Sequence, residues 1–391
     1  MTRFSAVMLF GVLSLPLLML AMVPSVRADF PMHCEKPQVM GTWDFKLGPN
    51  TGANTLDCST FNAAKDATST LTVTFSEPNV VTNEITKETG TWTMIYDEGF
   101  EFTISGKVYF SWFAYEVHGA NVTSHCADAS PTTYHDVLKT PGVIPSNWGC
   151  YAGGMTPASR NNGVDHDTIT PLSPPVTAEE AEKVWEEEHA LVAHINSRQS
   201  DWVATSKSPF VGMKTKDVVR QMGTPFKVHH SRYPRAARDD RPDHVKYAGL
   251  PDSWDWSNVN GTSFLAPVRS QGQCGSCYAH SSTSMFDARI RILSNNARQD
   301  ILAPQSVVSC NRYSQGCDGG FAYLVSKFAQ DFGLATESCF PYVSGSGTVP
   351  ACSAQCSDKS QLRYSSGYAF VGGFVRNVCE RGWTGHGNAY D

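Results

Sequence analysis

From Asp29 to about Cys150, apolar and polar residues alternate along the chain. Leu71-Thr72-Val73-Thr74-Phe75 puts every second side chain on one face. Trp92-Thr93-Met94 does the same, and Phe100, Phe102 and Ile104 repeat it. A period of two is that of a half-buried strand, and closely spaced Gly and Asn turns separate the runs. A small antiparallel sandwich or barrel is expected here. From 151 to about 175 the periodicity stops in a stretch rich in Gly, Ser, Asn and Pro, which reads as a loop or linker. Thr177-Ala178-Glu179-Glu180 then has the form of a capping box that opens a helix. Val184, Leu191, Ile195 and Trp202 follow at helical spacing with acidic residues opposite, which predicts one amphipathic helix packing its stripe on a neighbour. Between 230 and 245, Arg232, Arg235, Arg238 and Arg241 are broken up by prolines. Asp239, Asp240 and Asp243 interleave, so an exposed, nickable connection is expected rather than a polyanion site.

The N-terminus changes the picture. Arg3 precedes an apolar run from Ala6 to Met22, interrupted by Gly11 and Pro16, and Val26-Arg27-Ala28 follows Pro24. This is the form of a cleaved secretory signal, with a membrane anchor as the alternative. Cleavage after Ala28 would make Asp29 the N-terminus, and no later run is long or apolar enough to span a bilayer. The cysteines suit an oxidising compartment. Cys34, Cys58, Cys126 and Cys150 lie in the first third, and the other eight follow residue 270. Two separately stapled domains around a cysteine-free segment is the simplest reading, with the pairing left open. Asn121-Val122-Thr123 and Asn260-Gly261-Thr262 are glycosylation sequons. A net charge of −6 argues against nucleic acid as a partner.

The chemistry concentrates in Gln271-Gly272-Gln273-Cys274-Gly275-Ser276-Cys277-Tyr278-Ala279. Cys-Gly-Ser-Cys-Tyr fits the local signature of a papain-like nucleophile. A thiolate at the start of a helix is favoured by the positive end of the dipole, and an imidazole completes the activation. Gln271, with a backbone N–H, could stabilise an oxyanion. A redox Cys-x-x-Cys pair or half of a zinc site are the alternatives; Cys352 and Cys356 come closest to a second zinc pair, but secretion favours disulfides, so no metal is expected.

Other segments narrow the likeness. Ala288-Arg289-Ile290-Arg291-Ile292-Leu293, Leu302-Ala303-Pro304-Gln305, Gln315-Gly316-Cys317-Asp318-Gly319-Gly320-Phe321 and Ala329-Gln330-Asp331-Phe332-Gly333-Leu334 resemble the cathepsin C (dipeptidyl peptidase I) family of papain-like cysteine peptidases, as does Tyr278 after the nucleophile. Leu250-Pro251 through Trp254-Asp255-Trp256 is similar to the start of that family's catalytic chain. Asp29-x-Pro31-x-x-Cys34 with Gly41-Thr42-Trp43 is similar to the start of its exclusion domain, so the resemblance covers about 29–374. It implies an α+β chain: a signal peptide (1–28), an antiparallel β-barrel exclusion domain (29–153), a helical propeptide or activation segment (154–249), and a papain-like catalytic domain (250–374) before an unmatched tail (375–391).

The resemblance also implies roles. Cys277 would be the nucleophile, Gln271 the oxyanion donor, and Gly319 and Gly320 the binders of substrate backbone. Asp29 would hold the substrate's α-amino group, so that dipeptides leave from free N-termini. Phe321 and Tyr323 would belong to a chloride site, whose third position, usually Tyr, is Phe370 here. Disulfides Cys34–Cys126, Cys58–Cys150, Cys274–Cys317, Cys310–Cys352 and Cys339–Cys356 would leave Cys277 as the nucleophile and Cys379 odd. Peptides or proteins with free N-termini as substrates, an activating protease, a homotetramer in the complete form, and a lysosomal or extracellular location complete the expectation.

The chain departs from the family after Phe374. A papain-type enzyme places its His about 130–150 residues beyond the nucleophile, with an Asn further on. Only 114 residues follow Cys277. His386 and Asn388 sit in a Gly-rich polar tail, and His280 faces away on the nucleophile's own helix. The β half of the catalytic domain is therefore expected to be absent and the chain inactive as written. A non-catalytic binding or inhibitory protein that keeps the exclusion domain is the alternative.

Overall fold

The computed structural model describes residues 32–51, 56–119, 121–137, 146–171, 177–222, 249–251, 253–352, 356 and 358–368. The signal segment, Asp29, the arginine-rich stretch, Phe370, Cys379, His386 and Asn388 lie outside the described residues.

The alternating runs become strands β1 (Gly41–Leu47), β2 (Ser69–Ser76), β3 (Val80–Asn83), β4 (Thr89–Ile95), β5 (Gly99–Ile104), β6 (Lys107–His118), β7 (Asn121–Asp136), β8 (Gly149–Met155) and β9 (Asp167–Pro171). Their order is β6-β5-β4-β3-β2-β1-β8-β7-β9, and β6 also pairs with β7. That last pairing closes an antiparallel ring of the first eight strands, which leaves the ring without a free edge. β7 is long enough to serve two neighbours: residues 121–125 pair with β9 and residues 128–134 with β8.

The period of two sorts the side chains as a barrel requires. Val73, Phe75, Trp92, Met94, Phe100, Phe102 and Ile104 all point into one core with Trp43 and Phe45. Phe75 stacks on Trp92 at 4.8 Å and Phe102 on Tyr109 at 4.5 Å. The outer face is not all wet. Ile95 and Phe110 join a second core with Tyr278, Ala279, Leu324, Val325 and Phe328 of the downstream chain. Disulfides Cys34–Cys126 and Cys58–Cys150 each close a span of 92 residues across the barrel. Replacing Cys34 and Cys126 together by alanine is expected to cost about 4 kcal/mol, because the reduced unfolded chain regains the entropy of so long a loop. A thermal midpoint within about 2 °C of the native protein would contradict this.

Short helices α1 (Lys36–Val39), α2 (Ala63–Asp66) and α3 (Pro157–Arg160) border the barrel. The following segment carries α4 (Ala178–Glu182), α5 (His189–Arg198) and α6 (Thr215–Val219). Thr177 and Glu180 do form a reciprocal capping box. The single striped helix is not found, however. Trp185 N–H donates to Met213 O, Gly212 N–H to Trp185 O and Thr215 N–H to Lys183 O, so backbone pairing with a distant segment replaces the next helical turn. Val184 and Trp202 therefore fall outside the helices, and Leu191 and Trp202 are exposed.

The last described part holds α7 (Cys277–Leu293), α8 (Pro304–Cys310) and α9 (Ala322–Asp331), with α8 and α9 packed on α7. Disulfides Cys274–Cys317, Cys310–Cys352 and Cys339–Cys356 staple the loops around them. The expected fold is corrected here. The α+β reading with the β half of the catalytic domain absent took the fading pattern after Phe374 for the end of the fold. A Gly-rich polar stretch carries no periodicity either way, so nothing about further strands follows from it. The described part is also not purely helical, since Leu302 pairs with Thr336 and Leu334 with Arg363 in extended backbone.

Candidate active site

Cys277 is the first residue of α7, with the buried Ser276 as N-cap. Its thiol thus stands at the positive end of a helix of 17 residues. Among the described residues it is the one cysteine outside a disulfide, and it is neither fully buried nor fully exposed. The loop before it turns sharply at Gly272 (φ +63°), where a Cβ would fall 2.4 Å from Gly345 O. Gln271 leaves this loop with its Nε2 donating to Cys274 O at 2.9 Å and to Gln221 O at 2.5 Å. The second acceptor lies just beyond α6. The amide proposed to meet an oxyanion therefore meets a backbone carbonyl of the upstream segment.

The Cys274–Cys317 disulfide and the Gly275 N–H to Cys317 O bond (2.9 Å) bring the Gly316–Asp318 turn beside the nucleophile's loop. Gly319 and Gly320 follow, both buried. A Cβ at Gly320 would lie 2.7 Å from the Tyr278 ring, so the position tolerates nothing larger. Tyr278 fixes that ring by donating to Gly316 O at 2.9 Å. The residue after the nucleophile is thereby the floor under the glycine pair.

His280 lies one turn along α7. Its Nδ1 is 3.1 Å from Ser276 O, an acceptor only, so Nδ1 carries the proton. Nε2 is buried with no hydrogen-bond partner, and burial lowers the imidazole's pKa, opposed by the Ser276 bond. A ring bonded back to its own helix suits packing rather than proton transfer, as its helical position implied.

Arg269 anchors the Gln271 loop. Its Nη1 donates to Leu302 O (2.7 Å) and meets Glu337 Oε2 (3.4 Å), while Nη2 reaches Thr283 Oγ1 (3.2 Å) and Asp287 Oδ2 (3.3 Å). Burial pushes the Asp287 carboxyl up to about 6, against the pull of the Leu302 N–H and Arg269.

The barrel reaches the same region. Tyr96 stacks on Phe321 at 3.8 Å, immediately after the glycine pair. Met32 to Cys34 run alongside, with Cys34 N–H donating to Asp97 O (2.7 Å) and His33 Nδ1 2.9 Å from Asp97 Oδ2. Phe321 and Tyr323 do not fit a chloride ion as they stand. The Tyr323 hydroxyl donates to Glu101 Oε1 at 3.2 Å, and the Tyr368 hydroxyl lies 2.8 and 2.9 Å from the two Glu101 oxygens. An anion there would compete with a carboxylate. Lys327 Nζ, 1% exposed, bridges Glu101 Oε2 (2.9 Å) and Asp331 Oδ2 (3.1 Å). Tyr313 donates to Asp331 Oδ2 at 2.9 Å, and His135 Nε2 is 3.5 Å from Asp331 Oδ1. No group of acidic, His and Cys side chains able to hold a metal occurs among the described residues.

Two family profiles match the chain: the cathepsin C exclusion domain over residues 29–155, and the papain family cysteine protease over residues 250–375. The chain is 29% identical to cathepsin C of Schistosoma mansoni over 93% of its own length and 75% of that protein. The chain thus resembles cathepsin C, a papain-like cysteine peptidase, in both of these regions. The papain-family match, extending to residue 375, overturns the reading of a catalytic domain without its β half. Other relatives match shorter stretches of the chain. A cathepsin B-like protein of Giardia intestinalis is 33% identical over 43% of this chain and 54% of its own length. Dipeptidyl aminopeptidase 1 of Plasmodium falciparum is 37% identical over 26% of this chain and 16% of its own length.

Sequence reasoning placed Cys277, Gln271, Gly319 and Gly320, and the structure brings them to one loop cluster. It did not find Gln221, Arg269, Tyr342 or the Glu101–Lys327–Asp331 set. Of these only Asp331 stands in a quoted segment, where no role was read for it, and most act through a partner far away in sequence. Asn121 opens β7 and Asn260 sits in the Val259–Thr262 turn, both exposed.

Proposed function

We propose that this peptidase removes dipeptides from free N-termini by thiolate attack from Cys277. One observation carries the reading: the barrel's Tyr96 covers Phe321, next to the glycines that would hold substrate backbone. A wall at that point limits how much substrate can extend beyond the scissile bond, which favours an exopeptidase. Asp29 supports the reading. It stands three residues before Met32 in the sequence, and the family resemblance pairs its carboxylate with the substrate's α-amino group.

In the reaction the Cys277 sulfur bonds to the scissile carbonyl carbon, and the oxygen charge falls to Gln271 Nε2 and the Cys277 N–H. The amide nitrogen then leaves with the proton given up by the Cys277 thiol, and water hydrolyses the thioester to release the dipeptide and restore the thiol.

The contact of Gln221 O with Gln271 Nε2 supports a zymogen whose upstream segment occupies the oxyanion donor. Cutting in the arginine-rich stretch by an activating protease would release it. The secretory signal supports a lysosomal or extracellular site of action, and the exposed sequons support glycosylation at Asn121 and Asn260.

The test is a pair of fluorogenic dipeptidyl amides, one unblocked and one N-acetylated, given to protein freed of residues 177–222. Cleavage of the unblocked compound alone is expected. Equal cleavage of both would end the exopeptidase reading.

A further inference from the structure

We propose that Tyr342 is the positioning residue of the oxyanion site; this rests on the role proposed above for Gln271 and Cys277. The Tyr342 hydroxyl lies 2.8 Å from Gln271 O and 2.8 Å from Ser276 Oγ. A backbone carbonyl can only accept, so the single phenol proton goes to Gln271 and the Ser276 hydroxyl donates to Tyr342. One oxygen therefore ties the main chain of the side-chain oxyanion donor to the residue before the nucleophile. The Cys277 N–H, the second donor, follows Ser276 directly. The clamp thus sets the separation of the two donors, and such donors work only when held about 2.7–3.1 Å from the developing charge.

Tyr342 is itself held in place. Its N–H donates to Glu337 Oε1 at 2.8 Å, and the other Glu337 oxygen meets Arg269, two residues before Gln271. The ring stands edge-on to His280 at 4.7 Å. The clamp closes a circuit from Arg269 through Glu337 and Tyr342 back to Gln271. Nothing in the circuit touches the reacting atoms except through Gln271 and the Cys277 N–H.

The test separates reactions that place charge on oxygen from those that do not. A peptidyl aldehyde adds to Cys277: the sulfur–carbon bond forms, the carbonyl π pair moves to oxygen, and the thiol proton ends on that oxygen. Iodoacetamide alkylates the same sulfur with loss of iodide and develops no oxyanion. Both are measured on the chain freed of residues 177–222. Tyr342→Phe keeps the ring against His280 and removes one oxygen. It is expected to weaken the aldehyde about tenfold, the worth of a well-made hydrogen bond, and to leave the alkylation rate within about twofold. Ser276→Ala is expected to do the same and serves if Tyr342→Phe folds poorly. Where a dipeptidyl amide is turned over, the loss appears in kcat rather than KM. Unchanged aldehyde affinity in both variants, or equal loss of aldehyde binding and alkylation, would overturn the proposal. A parent protein that alkylates but binds no aldehyde would overturn the peptidase reading together with it.

Discussion

Replacing Cys277 with alanine is expected to lower cleavage of the unblocked dipeptidyl amide by about four orders of magnitude or more, since removal of a covalent nucleophile leaves only binding and electrostatic assistance. The substitution deletes one sulfur at a partly exposed position and leaves all five disulfides intact. Its thermal midpoint should therefore stay within about 2 °C of the parent. The loss belongs to chemistry and not to folding. Mass spectrometry gives an independent reading, because iodoacetamide labels the peptide that contains residue 277 in the parent and leaves it unlabelled in the variant. Residual cleavage within about tenfold of the parent would remove Cys277 from the mechanism. The neighbouring Cys274 is a built-in contrast. It is bonded to Cys317, so losing it disturbs the glycine turn and the loop without removing a nucleophile.

The barrel and the nucleophile were legible for different reasons. Val73, Phe75, Phe100 and Phe102 announce their face by alternation alone, because a strand has only two faces. Cys277 announces itself by its immediate neighbours, since a papain-type thiol, its oxyanion amide and its helix start all fall within a few residues. Glu101 was not legible. Alternation puts it on the outer face of β5, where a carboxylate is ordinarily solvated, yet it is only 8% exposed because the catalytic part covers it. Lys327 and Asp331 read as an ordinary surface pair at i,i+4 on α9, and they too are covered. Tyr342 has no pattern to betray it, since its role depends on two residues about seventy positions away. The striped helix failed for a related reason. Helical spacing was present at Val184, Leu191 and Ile195, but strand-like pairing with Lys183 and Trp185 won locally. Packing between distant segments is what single-sequence periodicity cannot carry.

The same covered charges give the second large effect. Lys327→Met is expected to destabilise the protein by about 3–5 kcal/mol, because it leaves Glu101 and Asp331 buried without their cation. The two carboxylates come from different parts of the molecule, Glu101 from the barrel and Asp331 from α9, so the loss falls on the joint between them. Burial alone would lower the Lys327 pKa; the Asp331 and Glu101 charges hold it above the usual lysine value. Burial likewise raises Asp331, but Lys327 and His135 outweigh it and bring the carboxyl to about 2. A carboxyl lowered from 3.8 to about 2 on folding adds stability that is complete above pH 4 and fades as pH falls from there towards 2. The joint should therefore hold throughout the mildly acidic range above pH 4. Thermal unfolding at pH 5 should show the Lys327→Met midpoint lower by on the order of 10 °C. Adding Glu101→Gln and Asp331→Asn to Lys327→Met should restore most of the loss, since it removes the stranded charges. A midpoint for Lys327→Met within about 2 °C of the parent would show that the cation contributes little to the joint. If the triple variant is no more stable than Lys327→Met, the cost lies in lost packing of the lysine stem against Phe110 and Tyr313, which its ammonium overlies at 5.6 and 5.2 Å.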